Sequence, residues 1–131
     1  MSVFIDTSAF IAVLIADDMN HNKFAKTWRA LIEQDERLVT SNYVIIETLA
    51  LLQRHSEMTT LHRFIEDILP AVVVEWIDEN LHIVGTNSLI MSGKRGPSMV
   101  DCVSFALMRK FSISNVFTFD RYFRAQGFII L

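Results

Sequence analysis

The chain has 131 residues, enough for one domain with its own core and no need of disulfide or metal staples. Hydrophobic residues make up 51% and charged residues 21%, which excludes a disordered chain, because the apolar surface offsets the entropy of ordering. The net charge of −3 lacks the basic excess that usually marks a nucleic-acid binder, although a site built of carboxylates lowers the balance by itself.

In chain order, Ser2 to Ile5 reads as a short buried strand, β-branched and aromatic. Asp6-Thr7-Ser8 supplies cap-forming side chains and opens an apolar helix to about Ile15, which Asp17-Asp18 breaks. Asn20 to Gln34 is amphipathic, with Phe24, Trp28 and Leu31 on one face. Arg37 to Thr40 is a second strand, and Ser41 or Asn42 then caps a helix to about Arg54. A helix from about Thr60 ends near Pro70, Val72 to Glu75 is strand-like, and Asp78 to about Met91 is helical. Ser92 to Pro97, with its glycines and proline, is the clearest loop. Ser98 to Phe111 is helical, Asn115 to Phe119 a strand, Asp120 to Ala125 a helical turn and Phe128 to Ile130 a last strand. Short apolar strands alternating with helices predict one α/β domain over residues 1–131. Its centre is a parallel sheet of about five strands, with helices on both faces.

The lone cysteine, Cys102, forms no internal disulfide, so a reduced, cytoplasmic setting is expected. The start of the chain lacks the basic region of a signal peptide, and no apolar run is long enough to span a membrane. The apolar fraction is high for a lone small domain, and part of it is expected to cover a partner or a second copy.

Four acids stand out. Ligands of an open parallel sheet bind at the carboxyl ends of its strands, and Asp6 and Asp120 each directly follow a strand. Each also has a plainer reading as a helix cap. Glu47 has Tyr43, Val44, Ala50 and Leu51 as its helical neighbours, a setting in which a carboxylate is costly unless paired or metal-bound. Its plainer reading is an exposed stripe. Asp101 is the one charged residue between Met99 and Met108; Ser98-x-x-Asp101 also fits a capping box, and capping occupies only one of its oxygens. Four carboxylates brought together repel one another, so some must protonate or a cation must be present. Oxygen-only ligands favour Mg²⁺, with Mn²⁺ as its substitute, over zinc. The residues alone reach this far, an acidic oxygen-ligand metal site, and do not name a substrate.

The chain resembles PIN-domain proteins, specifically the toxin ribonucleases of the VapC type. The likeness rests on Phe4-Ile5-Asp6-Thr7-Ser8, on Thr40-Ser41-Asn42 through Glu47-Thr48, on Ser98 through Phe105, and on Phe117-Thr118-Phe119-Asp120-Arg121-Tyr122-Phe123. Their order and separation match over essentially the whole chain. The resemblance implies a metal-dependent endoribonuclease, with Asp6, Glu47 and Asp101 as core acids, Asp120 as the fourth, and Thr7 and Thr118 as supporting hydroxyls. It also implies a homodimer and silencing by a small antitoxin that packs along an apolar groove, for which Phe4 and Trp28 are candidate contacts. Many relatives carry a further Asp or His two residues after the fourth acid, where this chain has Tyr122; this bears on a second metal site more than on the first and leaves one and two metals both open.

Lys94 and Arg95 in the loop, and Arg121, are candidate RNA-phosphate contacts; for the loop pair a merely solvated role is equally in view. His21, His55, His62 and His82 lack metal-ligand spacing, and Cys102 lacks a histidine partner for nucleophilic work. A phosphate-accepting receiver would need an acid pair after the first strand and an Asp after a middle one, where Val72-Val73-Val74-Glu75 offers none. A dinucleotide fold would need its glycine loop, which is also missing. A non-catalytic PIN-like interaction module, or an RNA-processing relative without an antitoxin, remain the alternatives.

Overall fold

The computed structural model describes residues 1–131. Five strands, β1 (Ser2–Ile5), β2 (Arg37–Ser41), β3 (Val73–Glu75), β4 (Asn115–Phe117) and β5 (Ile129–Ile130), form one sheet in the order β3-β2-β1-β4-β5. All four pairings are parallel. In β1, Val3, Phe4 and Ile5 are all fully buried. Successive side chains of a strand point to opposite faces, so both faces of the sheet are covered.

Helices α1 (Thr7–Leu14) and α2 (His21–Glu33) lead from β1 to β2, and α3 (Asn42–His55) and α4 (Met58–Arg63) from β2 to β3. The chain then crosses back through α5 (Glu79–Ser92) and α6 (Met99–Lys110) to β4, and α7 (Tyr122–Ala125) leads to β5. Growth of the sheet reverses direction here, with β2 on one side of β1 and β4 on the other. Right-handed crossovers in opposite directions put their helices on opposite faces. The reversal leaves a crevice beyond the carboxyl ends of β1 and β4, where open α/β sheets bind ligands.

Local chemistry fixes several ends. The Ser41 hydroxyl accepts the Val44 amide at the start of α3, and Asp78 accepts the Leu81 amide at the start of α5. Gly93 stops α5 with φ of 81°, a backbone conformation that glycine adopts at no steric cost. Aromatic pairs tie the layers, with Phe10 edge-on to Phe64, Phe24 stacked on Phe117 and Phe105 edge-on to Phe123.

Helices α5 and α6 meet at Gly85. A Cβ added there would lie 2.4 Å from Cγ2 of Val103 and 3.2 Å from its Cα. Val103 is itself fully buried and has nowhere to go. Gly85→Ala is therefore expected to destabilise the domain by about 1–3 kcal/mol. The check is a urea titration, in which the midpoint falls while the slope stays constant.

Two expectations need correction. The helix expected from Thr60 to Pro70 is three pieces: α4, a π-helical turn over Phe64–Ile68 and a 3₁₀ turn over Leu69–Ala71. The wider turn buries both Phe64 and Ile68, and Pro70 has no amide to continue a helix. Phe4 lies in the central strand with no exposed surface, so it cannot contact a partner. Trp28 is only half-buried on α2.

Candidate active site

Asp6 follows the last residue of β1, and its amide donates to the Phe117 carbonyl of β4 at 3.1 Å. It is the residue before α1, yet its carboxylate makes no capping bond. Instead, Oδ2 accepts from Ser8 Oγ at 3.0 Å and from Thr118 Oγ1 at 2.9 Å. The two hydroxyls are 2.9 Å from each other. Burial pushes the Asp6 carboxyl upward, against the Thr118, Ser8 and Thr7 bonds that hold it down, and the Asp120 charge adds to the rise.

Asp120 comes from the segment just after β4. Its amide donates to Thr118 Oγ1 at 2.9 Å, and its Oδ1 accepts the Tyr122 amide at 2.9 Å. Thr118 is thus a buried relay between the two acids on adjacent strand ends. Asp101 sits one turn into α6 in the expected capping box. Ser98 Oγ accepts the Asp101 amide and Asp101 Oδ2 accepts the Ser98 amide, each at 3.1 Å, which leaves Oδ1 without a protein donor. Burial, then the charges of Asp6 and Asp120, push its carboxyl up to about 6, and the Ser98 bonds restrain it.

Glu47 projects from the middle of α3 and forms no hydrogen bond or ion pair. Burial first, then the charges of Asp6, Asp101 and Asp120, push it up to about 7. It is not on a merely exposed stripe, because it lines the same pocket as the other three acids. This pocket, of about 820 Å³, lies in the crevice beyond β1 and β4. The four ion pairs of the chain all lie elsewhere.

No group of three carboxylate, imidazole or thiol side chains stands ready-assembled to hold a metal ion. The donor set nonetheless fits a hard divalent cation. It consists of oxygens alone, at least two of them without a protein donor, on acids that raise one another's affinity for positive charge.

The supporting residues fall into place differently. The Thr7 hydroxyl donates to the Val44 carbonyl at 3.3 Å and accepts from Thr48 at 3.2 Å. It therefore ties the start of α1, at the pocket wall, to the helix that carries Glu47, while the hydroxyls of Ser8 and Thr118 reach Asp6. Asp18, expected only to break the first helix, lines the acidic pocket and accepts the Asn20 amide at 2.8 Å. Asp-x-Ser was the available signal for Ser8; nothing in the sequence marks Asp18. Arg121 is on the pocket wall, whereas Lys94 and Arg95 are not. Their loop is held at the pocket's edge, since the hydroxyl of the wall residue Tyr122 donates to the Arg95 carbonyl at 2.9 Å. His82 bonds Tyr43, His21 meets the Ala12 carbonyl and His62 pairs with Glu66, and none of the three lines the acidic pocket.

Ser8→Ala removes one of two side-chain donors that orient Asp6 while leaving the carboxylates in place. Divalent-cation affinity, read by titration calorimetry, is expected to fall about tenfold, the size seen when a ligand's supporting partner is lost. Affinity equal to that of the unaltered protein would show that Thr118 alone orients Asp6.

A family model described as PIN domain matches residues 3–129. Over 128 residues the chain is 34% identical to the 23S rRNA-specific endonuclease VapC20 of Mycobacterium tuberculosis, spanning 97% of this chain and 95% of that protein. The crystal structure of VapC20, described as a sarcin-ricin loop cleaving toxin, matches with a TM-score of 0.84 at 31% identity, over 97% of this chain and 96% of the other. FitAcB from Neisseria gonorrhoeae shares the fold, with a TM-score of 0.73 at 18% identity over 100% of this chain and 96% of that one.

Proposed function

The chain belongs to the PIN-domain family, and from that premise we propose that it is a divalent-cation-dependent endoribonuclease and the toxin of a toxin–antitoxin pair. The observation that carries the reading is the convergence of Asp6, Glu47, Asp101 and Asp120 on one pocket in which none of them forms an ion pair. Mg²⁺, or Mn²⁺ in its place, would be held by these carboxylates, where it supplies positive charge that favours ionisation of water and offsets charge gathering on a phosphate.

The chain's own residues do the rest. Ser8 and Thr118 fix the Asp6 carboxylate through Oδ2, and the capping box fixes that of Asp101 through Oδ2. Both acids thereby present a set geometry, which makes orientation a cost already met before substrate arrives. Glu47 has no protein donor of its own, so its carboxylate is free to take the cation, or a proton when the cation is absent. Arg121 on the pocket wall pairs with a substrate phosphate, and the Lys94–Arg95 loop at the edge adds long-range attraction.

The 23S rRNA named for the relative is the first substrate to test, and such a target is consistent with a cytoplasmic setting. No helix is long and apolar enough to cross a membrane. A homodimer is proposed across α5, whose solvent side carries Ile83, Val84 and Ile90, the last 73% exposed. The antitoxin is proposed to cover exposed apolar side chains such as Ile46 and to reach the acids beside them, since Ile46 and Glu47 line one shallow hollow with Tyr43 and Val100.

The test is cleavage of purified 23S rRNA and of a bulk tRNA pool, with Mg²⁺, with Mn²⁺ and with EDTA. Discrete cuts that need the cation and disappear in EDTA are expected. An RNA pool left whole under every cation, by protein that binds the cation, would overturn the nuclease reading. All four acids are in place, so nothing favours a decayed site.

A further inference from the structure

Phe119 is an anomaly of the pocket. It stands between Thr118 and Asp120, it lines the acidic cavity, and it is 53% exposed. A large aromatic ring with half its surface left open to water beside carboxylates gains only part of what burial offers, so packing alone does not account for it. It is nevertheless held still. Its ring lies edge-on to Phe24 at 5.9 Å, Phe24 stacks on Phe117 of β4 at 4.9 Å, and the Phe119 amide donates to Ser8 Oγ at 3.3 Å. One end of a buried aromatic column thus emerges into the cavity. The neighbouring wall carries Arg121, a cation suited to phosphate, and Tyr122, whose hydroxyl is engaged by the Arg95 carbonyl.

We propose that Phe119 is a stacking platform for an unpaired nucleobase, placed next to the nucleotide whose phosphate is cut. The inference rests on the nuclease reading and deepens it: the substrate class becomes RNA with a base free to leave its stack, as in a loop or bulge. Bases in a continuous duplex are stacked on each other and offer no free face, whereas single-stranded RNA is commonly gripped through aromatic side chains. A rigid ring has lost its conformational freedom already, so stacking on it costs less order than on a mobile one. The cavity, about 820 Å³, is in the range that takes a whole nucleotide.

The test uses the Asp6→Asn protein, expected to bind without cutting, in three versions: Phe119 intact, Phe119→Leu and Phe119→Trp. The probes are a synthetic RNA hairpin with an unpaired loop and a fully paired RNA duplex of equal length and charge. Leu keeps apolar bulk and removes the π face; Trp keeps the face. Hairpin affinity is expected to fall about tenfold with Leu and to be held with Trp, while duplex affinity is the same for all three. Equal hairpin affinity for Leu and Phe overturns the platform, as does a Leu loss of the same size on the duplex. An antitoxin contact as the sole role of Phe119 gives the first of these results. Thermal melts guard against a Leu variant that has lost its fold, and in that event the Trp protein decides, since a Trp-dependent loss on the hairpin alone also rejects stacking. Binding is read without catalysis, so a failure here leaves metal-dependent cleavage by the unaltered protein as a separate result.

Discussion

Replacing Asp6 with Asn is expected to abolish metal-dependent RNA cleavage, by more than about a hundredfold, while the metal-free protein becomes more heat-resistant. The loss of cleavage follows from position. Asp6 is the acid at the centre of the sheet, tied by Thr118 to the Asp120 side of the pocket, and its charge raises both Glu47 and Asp101. Losing a residue that merely supports a ligand costs about 10–100-fold, so losing a core ligand exceeds that. The gain in stability follows from the same geometry. Asp6 is 5% exposed, and its charged form is disfavoured by burial before any like charge is counted. Asn is nearly the same shape, accepts the Ser8 and Thr118 hydroxyls through its carbonyl oxygen, and carries no charge. The measurements are rRNA cleavage in Mg²⁺ and the melting temperature in EDTA. Full cleavage by the variant would remove Asp6 from the site; lost cleavage with a lowered melting temperature would mean that the fold, and not the chemistry, had failed.

In EDTA the unaltered protein is expected to melt at a higher temperature at about pH 5 than at about pH 7.5, and Mg²⁺ or Mn²⁺ is expected to cancel that slope. Asp6, Glu47 and Asp101 are all pushed above the ordinary carboxylate range, Glu47 to about 7 and Asp101 to about 6. A raised value means that the folded chain keeps protons the unfolded chain has already lost. The stability this confers is complete below the unfolded values, near 4, and is lost as pH rises through about 6 and about 7. Glu47 and Asp101 are partly open to solvent, which screens the effect, so a total on the order of 1–2 kcal/mol is expected, or several degrees of melting temperature. Asp78 moves the other way, held low chiefly by the Leu81 amide, but it titrates below this window. A bound cation replaces the protons and stabilises by mass action, by about 2.7 kcal/mol at a hundred times its dissociation constant. Glu47→Gln should flatten the slope in EDTA. A melting temperature independent of pH in EDTA would mean that the carboxylates do not share one field.

Much of this was legible in the residues, for identifiable reasons. Strands β1, β2 and β4 are short apolar runs next to capping residues, and Gly93 and Pro97 bound a loop that could be nothing else. Glu47 and Asp101 were visible because each interrupts an apolar stretch, and a charge in such a place needs an account. The sheet order was not legible, and with it went the fate of Phe4: an apolar residue reads alike in a central strand and on a docking face. The π turn at Phe64–Ile68 answers to tertiary packing, which local propensity does not contain. Ser8 and Thr7 have similar chemistry, and only the direction of the first turn of α1 sends one hydroxyl to Asp6 and the other to α3. Asp18 enters the pocket because the chain after α1 folds back, a long-range event. Phe119 read as the end of a strand, but β4 stops at Phe117 and the ring turns outward into the cavity.

The bond from Thr118 to Asp6 joins residues 112 apart in the sequence, and β1 finds its β4 neighbour only after the whole chain between them has been laid down. On a ribosome, the first strand and α1 through α6 can emerge and begin to pack while the pocket still lacks one wall. Such distant pairings are the slow ones in folding, because the loop between them must close before the contact repays it. A protein proposed to cut ribosomal RNA is synthesised in contact with that RNA. The active arrangement waits for residues 115–120, so β1 and α1 through α6 can be in place while the Asp6 carboxylate still lacks the Thr118 and Asp120 side of its pocket.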